Sequence, residues 1–396
     1  MAWVRSSASL GDSPRGDAAR ASAPVRVLHI YPKGDFFTGA AIQVWDLILG
    51  LRARGHDVVL ATRPASIWST KSAQAGVTHY GLPMTSEIDL RSVARLVGVL
   101  RQHRIQVVHA HKGRARTLAL LAGLVTRLPV LILNRGVTFP LDPFNRLGYV
   151  TRRVTAVIAV CEAIKTQLVR SGVPEAKIRV IYSGTDTERF HPGVDRTRIR
   201  AELGLTPDQF LVTQIGVRAE KGNDDVMAAM AKVTAQAPSA HLLIVGARDP
   251  ERLHEQARGL GLRRNFHVLG YREDVAEILA GSDCSVDASY RGLGLTGSLR
   301  ESLAVATPVV ATAVEGNPEL VIDGETGLLF PPRDVPALAR AIERVMANRA
   351  EARRTAEAGR RRVEQLFSTR RKVECVESLY RELVARADHT SSLSRG

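Results

Sequence analysis

Short apolar runs alternate with amphipathic helical stretches through nearly the whole chain, and the alternation comes in two successive sets. Residues 25–31, 57–62, 106–109, 129–134, 156–160 and 178–182 form the first set of runs. Strands this apolar carry helices on both faces of their sheet, and strands joined through helices run parallel. Between the first two runs, Ile42, Trp45, Ile48, Leu49 and Arg52 recur at helical spacing, which predicts a helix over 41–54 that Gly55 ends. A polar, turn-rich interval at 183–196 breaks the pattern. A second set of runs follows at 210–215, 242–245, 266–269, 284–288 and 308–312. The expectation is an α/β chain of two doubly wound halves facing each other across a cleft, with ligands at the strand carboxyl ends. Three charged amphipathic helices follow at 335–347, 350–367 and 371–387, the last expected to fold back across the cleft.

A chain of 396 residues exceeds one ordinary core, so two domains are expected. The divisions read as a disordered segment over 1–23, an N-terminal domain over 24–190, a C-terminal domain over 191–370, and a last helix with tail over 371–396. Residues 1–23 are rich in Ser, Ala, Gly and Arg, and the tail is expected to be disordered from about His389. The most apolar stretch, 118–133, is split by Thr126 and Arg127 and is too short to span a bilayer. The polar N-terminal segment has no apolar core of a signal peptide. Cys161, Cys284 and Cys375 lie far apart without metal spacing, which predicts neither disulfide nor zinc and suits a reducing cytoplasm.

The net charge of +15 is lopsided. Residues 1–190 hold 26 Lys and Arg against 12 Asp and Glu, whereas the remainder holds 29 against 28. A basic half of this kind suits an anionic membrane surface or an acidic acceptor, with generic solubilising charge as the plain alternative. Nucleic acid is not expected, because aromatics are only 5% and do not alternate with the basic residues as a stacking platform.

The chemistry concentrates between Asp287 and Phe330. There a strand runs into a loop with Gly292, Gly294 and Gly297, and the loop opens a helix over 298–306 that carries Glu301. The first N–H groups of such a helix lack partners and the helix dipole adds positive charge, so a phosphate-bearing ligand is expected there, with Glu301 near a sugar hydroxyl. Ser298 and Glu301 also fit a capping box, which would spend Glu301 on the helix end. Glu319, in the run Gly316, Asn317, Pro318, Glu319, reads as part of an Asn-capped helix with Pro at its first position. The three glycines satisfy the dinucleotide fingerprint too, but they lie late in their unit and 308–312 ends without an acid.

Several segments together resemble the retaining glycosyltransferases of family 4, which have the GT-B architecture of two Rossmann-like domains. The resemblance covers about residues 25–370 and rests on order and spacing. In the N-terminal half it runs through Thr38-Gly39-Ala40, Arg54-Gly55-His56-Asp57-Val58 and Val107-Val108-His109-Ala110-His111. Around the hinge it uses Val160-Cys161-Glu162-Ala163-Ile164, Ile181-Tyr182-Ser183-Gly184-Thr185-Asp186 and Phe190-His191-Pro192. The C-terminal half adds Arg218-Ala219-Glu220-Lys221-Gly222, the glycine loop, and 323–330.

The resemblance implies a nucleotide-diphosphate sugar, UDP- or GDP-linked, as substrate, with no separate cofactor and no metal. The C-terminal domain would hold this donor, and the N-terminal domain a glycan or lipid-linked acceptor, in surface polysaccharide, lipopolysaccharide or glycolipid synthesis at the inner membrane face. Arg218 and Lys221 would neutralise the departing diphosphate, an electrostatic term that is usually the largest in catalysis. Glu301 matches the family glutamate that bonds the ribose. Gly39, Gly216, Gly246, Arg272, Gly297, Ser298 and Leu299 fall at donor-binding positions. His111 or His109 would stand near the sugar; both share a strand face, and His111, the later, is preferred. Lys112, Arg114 and Arg135 are the acceptor candidates. The chain departs from the family pattern where Leu293 replaces the first glutamate of a pair, and Arg218 stands closer to the lysine than usual. Asp287 and Arg291 are the charged neighbours available to compensate for Leu293. Nucleotide-sugar epimerase, NAD-linked enzyme, and non-catalytic relative binding membrane or partner are the competing readings.

Overall fold

A computed structural model describes residues 23–34, 38–128, 130–292 and 294–393, so the segment expected to be disordered, 1–23, lies almost wholly outside the described residues. The first sheet contains β1 (Arg26–Ile30), β2 (Asp57–Thr62), β3 (Thr78–Gly81), β4 (Val107–His111), β5 (Val130–Arg135), β6 (Ala156–Ala159) and β7 (Ile178–Val180). The second contains β8 (Phe210–Ile215), β9 (Ala240–Val245), β10 (Phe266–Leu269), β11 (Cys284–Asp287), β12 (Val309–Thr312) and β13 (Leu328–Phe330). Both sheets are parallel throughout. Helices cover both faces, as the apolar runs require: on β1, Val27 enters one core layer while Leu28 and Ile30 enter the other.

Strand order fixes where ligands sit. The first sheet runs β3-β2-β1-β4-β5-β6-β7 and the second β10-β9-β8-β11-β12-β13. The order reverses between β1 and β4 in one, and between β8 and β11 in the other. At each reversal the adjoining loops diverge to opposite faces and open a crevice at the carboxyl ends. Those two crevices carry nearly every residue with chemistry to offer.

Three expectations need correction. β3 (Thr-His-Tyr-Gly) and β13 have no counterpart in the expected runs, because both are edge strands with half-buried residues and weak apolar signals. β4 extends to His111, so both histidines lie inside the strand. The last helix runs from Thr369 to Leu393, past His389 where a disordered tail was expected.

That helix does not stay with the C-terminal half. Val373, Val376, Leu379, Tyr380 and Leu383 are buried in the same cluster as Val27, Leu47, Ile48, Leu51 and Val107 of the first half. Its carboxylate anchor is Glu377, which accepts from Arg54, from His56 Nε2 (3.1 Å) and from Arg381 Nη2 (2.8 Å). Burial pushes the Glu377 carboxyl up, but donation from Arg381, Arg54 and His56 outweighs it and holds the group at about 2 rather than 4.5. A folded-state value below the unfolded one contributes stability above the unfolded value and loses it as pH falls through the folded one. Melts of the wild type should therefore lose this contribution between about pH 4.5 and 2, while Glu377→Ala flattens that dependence. At neutral pH the same substitution should cost about 1.5–3 kcal/mol, read as a lower Tm.

Candidate functional site

The β8/β11 crevice is built from three backbone pieces. After β8 the chain turns through Gly216 (φ +95°) and Gly222 (φ +63°). A Cβ at Gly222 would lie 2.3 Å from the Ala288 carbonyl oxygen, so this left-handed turn requires glycine to press against the end of β11. Gln214 and Asn223 brace the turn: Gln214 Nε2 donates to the Lys221 carbonyl at 2.8 Å, and Asn223 Nδ2 donates to Gln214 Oε1 at 2.8 Å. Gly246 (φ +92°) packs beside Gly216 from the neighbouring strand end.

This bracing carries Lys221 inward. Its ammonium is buried, donates to Asp287 Oδ2 at 2.6 Å, and lies 3.3 Å from Ser298 Oγ. Ser298 is the second residue of the helix Gly297–Ala304, so a cation and a positive helix end meet at one point. Burial pushes the Asp287 carboxyl up, yet the Lys221 charge and bonds from Lys221 and Ser289 bring it below its usual value. Asp287 is thus committed to Lys221 and is not free to stand in at position 293. Leu293 itself lies outside the described residues.

The alternative reading, a capping box of Ser298 and Glu301, is not what the helix start shows. Thr296 is the N-cap and makes no side-chain capping bond, its hydroxyl donating to Asn317 Oδ1 at 3.3 Å instead, while the Ser298 hydroxyl faces Lys221. Glu301 Oε1 points back towards the start of the helix, 3.8 Å from where a Cβ on Gly297 would sit. Burial raises the Glu301 carboxyl, with Arg300, Arg189 and Lys221 opposing. Leu299 is buried as a packing residue, so any ligand contact it offers is through its backbone. Arg218 is exposed at the head of a 3₁₀ turn over Ala219–Lys221.

Arg272, expected at a donor-binding position, forms paired bonds to Glu202 (2.6 and 2.9 Å) and to Asp274 (2.7 and 2.6 Å). Glu319 is a correction. The short helix Asn317–Leu320 starts from Gly316, not from an Asn cap. The Glu319 carboxylate instead accepts from the Glu162 and Ala163 N–H groups (2.8 and 2.9 Å), capping a helix of the first half (Glu162–Arg170).

In the first sheet, the helix Gly39–Ala53 begins at the carboxyl end of β1 with open space beside Gly39. His109 and His111 lie on one face of β4, buried, and the register neighbour His29 joins them from β1. His111 Nε2 and His29 Nδ1 are 3.0 Å apart, and His109 Nδ1 meets the Tyr380 hydroxyl at 2.6 Å. Lys112 (φ +74°) begins the next helix with its ammonium 5.4 Å from the Tyr31 ring centroid. Arg114 donates to the Met84 carbonyl at 2.7 Å, and Arg135 donates to the carbonyls of Val137 and Phe139 in its own loop.

The halves touch through named bonds. Glu315 Oε1 accepts from Thr138 Oγ1 (2.5 Å) and from the Gly292 N–H (2.8 Å). Arg300 Nη1 donates to the Gly184 carbonyl at 2.6 Å, and Gln43 bonds both backbone groups of Gly184. Lys372 on the last helix donates to the Gln43 carbonyl at 2.6 Å. Burial lowers the Lys372 ammonium to about 7 and raises the nearby Asp46 carboxyl to about 6. None of His29, Gln43, Asp46 or Lys372 was singled out from sequence, since each acquires meaning only from distant neighbours.

Two cavities open elsewhere. One of about 570 Å³ lies at the ends of β2 and β3, lined by Gly34, Arg63, Ser66, Ile67 and Thr85. Another, of about 520 Å³, lies among Arg196, Arg200, Phe210, Arg349 and Arg353 at the opposite end of the second sheet. Neither holds Lys221 or Glu301. Cavity size and chemistry point to different places, and the strand-order reversal with its converging charges is the better guide to ligand position.

Known proteins fit this geometry. The model of glycosyl transferases group 1 matches residues 195–362, and that of glycosyltransferase family 4 matches residues 37–189. The putative glycosyltransferase EpsD of Bacillus subtilis is 31% identical over 54% of this chain, a match spanning 56% of that protein. Alpha-maltose-1-phosphate synthase of Mycobacterium tuberculosis is 28% identical over 90% of this chain and 98% of its own length. Anabaena Alr3699/HepE in complex with UDP superposes with TM-score 0.80 at 20% identity, covering 90% of this chain and all of the other, which shows a shared fold. Two facing parallel sheets, a glycine-opened helix with a buried lysine at its tip, and matches over both halves together place the chain in glycosyltransferase family 4, with the GT-B fold.

Proposed function

We propose that the chain transfers a sugar from a UDP- or GDP-sugar to a glycan or lipid-linked acceptor, with retention at the anomeric carbon, in cell-surface polysaccharide, lipopolysaccharide or glycolipid synthesis. The observation that carries this reading is the Lys221 ammonium, buried at the first turn of the helix Gly297–Ala304 in the β8/β11 crevice. The diphosphate lies against the N–H groups of Gly297, Ser298 and Leu299. Lys221 and Arg218 stabilise the charge that develops as the glycosidic bond to the diphosphate breaks, with no metal at the phosphates. Glu301 accepts from the ribose hydroxyls, Gly216 and Gly246 leave room for the nucleoside, and Gly39 lets the first half approach the phosphates. His111 contacts the transferred sugar.

The acceptor enters from the basic half, past Lys112, Arg114 and Arg135. Arg114 stands beside the cavity of about 570 Å³ through its bond to Met84, next to the lining residue Thr85. The excess positive charge of the first half favours an anionic membrane face. No helix among the described residues is long and apolar enough to cross a membrane.

Replacing Glu301 by Gln should weaken donor affinity about tenfold to a hundredfold, the loss of one charge-assisted bond, as measured by calorimetry with UDP-sugar and GDP-sugar. Because burial raises this carboxyl, wild-type affinity should also fall as pH drops through a value above the ordinary carboxylate range. A panel of nucleotide sugars, assayed for nucleotide diphosphate release with and without lipid extract, tests the whole reading. Leu293 favours a second reading, a weakly active binding relative; nucleotide affinity without release from any donor would select it.

A further inference from the structure

Three histidines converge under the last helix. His29 and His109 are register partners on β1 and β4, and His111 lies two residues further along β4 on the same face. All three side chains are buried, and their ring centroids lie 4.2 to 5.3 Å apart. After the His29–His111 contact and the bond from His109 to Tyr380, three ring nitrogens have no hydrogen-bond partner: His29 Nε2, His109 Nε2 and His111 Nδ1. Buried imidazole nitrogens are normally satisfied, and here His109 Nε2 stands unpartnered beside the single bond shared by His29 Nδ1 and His111 Nε2.

We propose that His29, His109 and His111 form a binding site for one divalent transition-metal ion of the zinc or cobalt type. One nitrogen from each ring lies within 4.8 Å of the other two. Zinc–nitrogen bonds of ~2.0–2.1 Å in a tetrahedron place ligand nitrogens about 3.3 Å apart. The His29–His111 pair already stands at 3.0 Å, so ring rotation of His109 is the main adjustment. The Tyr380 hydroxyl holds His109 Nδ1, the outer-sphere bond that fixes a ligand ring and leaves Nε2 for metal.

The donor set decides the class of ion. Three neutral nitrogens suit zinc, cobalt, nickel or copper, whereas magnesium and calcium take oxygen ligands. All three rings are buried, and neutral imidazole is the form that ligates. Positive charge also acts here, from Lys372 on all three rings and from Lys112 on His111. Charge therefore does not draw a cation here, and ligation by the three nitrogens must do so. His111, at the carboxyl end of β4, is 4% exposed, whereas His29 and His109 are fully buried. The site stands whether or not the chain transfers sugar; resting on that reading, a bound ion engages His111 and suppresses transfer.

The test uses the full chain, stripped with a chelator and titrated with Co²⁺. The expected result is a visible absorption band of tetrahedral Co²⁺ that saturates at one equivalent and is bleached by Zn²⁺. His29→Leu and His109→Leu should each abolish it, with far-UV circular dichroism reporting that they fold. His241→Gln, in the separate His241–His267 pair, should leave it intact. If the leucine variants do not fold, proton NMR of the Co²⁺-loaded wild type gives the answer alone: three histidines must show paramagnetically shifted ring protons. No band at one equivalent, shifted protons from fewer than three rings, or a band that survives in both folded leucine variants overturns the proposal.

Discussion

Lys221→Ala should lose affinity for nucleoside diphosphate by about a hundredfold and melt at a lower temperature than the wild type. The two effects have different causes. Binding falls because the ammonium is the buried cation at the head of the helix Gly297–Ala304, and a charge-assisted contact contributes about 1.5–3 kcal/mol. Stability falls because Asp287, 2% exposed, then holds a carboxylate with no cation beside it. Breaking a buried pair from one side typically costs about 3–5 kcal/mol. The unpaired Asp287 charge also repels incoming phosphate, which pushes the binding loss beyond one lost contact. The double variant Lys221→Met, Asp287→Asn separates the two effects. It should regain most of the melting temperature, because both charges are gone, while nucleotide binding stays weak. Calorimetric titration with UDP and GDP decides the matter: affinity unchanged in either variant removes the phosphate from this place.

Gly184→Val should lower both stability and transfer activity. Gly184 is where four segments meet. Its backbone groups bond Gln43 from the first helix, its carbonyl accepts from Arg300 of the glycine-opened helix, and the adjoining Thr185 exchanges bonds with Phe367 and Thr369 at the start of the last helix. A Cβ there would fall 2.5 Å from the Thr369 Cα, a backbone atom that cannot swing aside. The chain must open by separating the last helix from the hinge, at a cost of about 1–3 kcal/mol for overpacking. Opening also removes the acceptor of the Arg300 guanidinium, whose burial already lowers it to about 10. Since Arg300 and Glu301 are neighbours on one helix, donor affinity should drop at least about tenfold, as the cost of one unmet buried bond implies. Melting curves and nucleotide titration on the same preparation check both parts; a variant that melts as the wild type does would mean the hinge has slack.

The sheets were legible because a strand covered on both faces must be apolar along its length, and eleven such runs stand clear of their surroundings. β3 was not, since Thr78, His79, Tyr80 and Gly81 form a half-buried edge that needs no such composition. The glycine-opened helix was legible from its glycines, all local in sequence. What Asp287 does was hidden, because its partner Lys221 is 66 residues away. The same holds for Glu319, which looks like part of its own short helix and instead caps one 157 residues earlier. Arg272 shows how little a local reading says about a partner. An arginine after a strand end reads alike whether it faces a phosphate or a carboxylate, and here Glu202 and Asp274 hold it. His29 carried no signal at all until β1 was laid beside β4.

The last helix completes a sheet made from the opening half of the chain, and that has a consequence for synthesis. A ribosome that has delivered β1 to β7 has produced a layer with one bare flank, because Val373, Val376, Leu379 and Tyr380 are still to be translated. The nascent lobe must wait, sticky and unfinished, for the entire second lobe to emerge. Gene fragments that stop short of this closing segment should thus yield insoluble product.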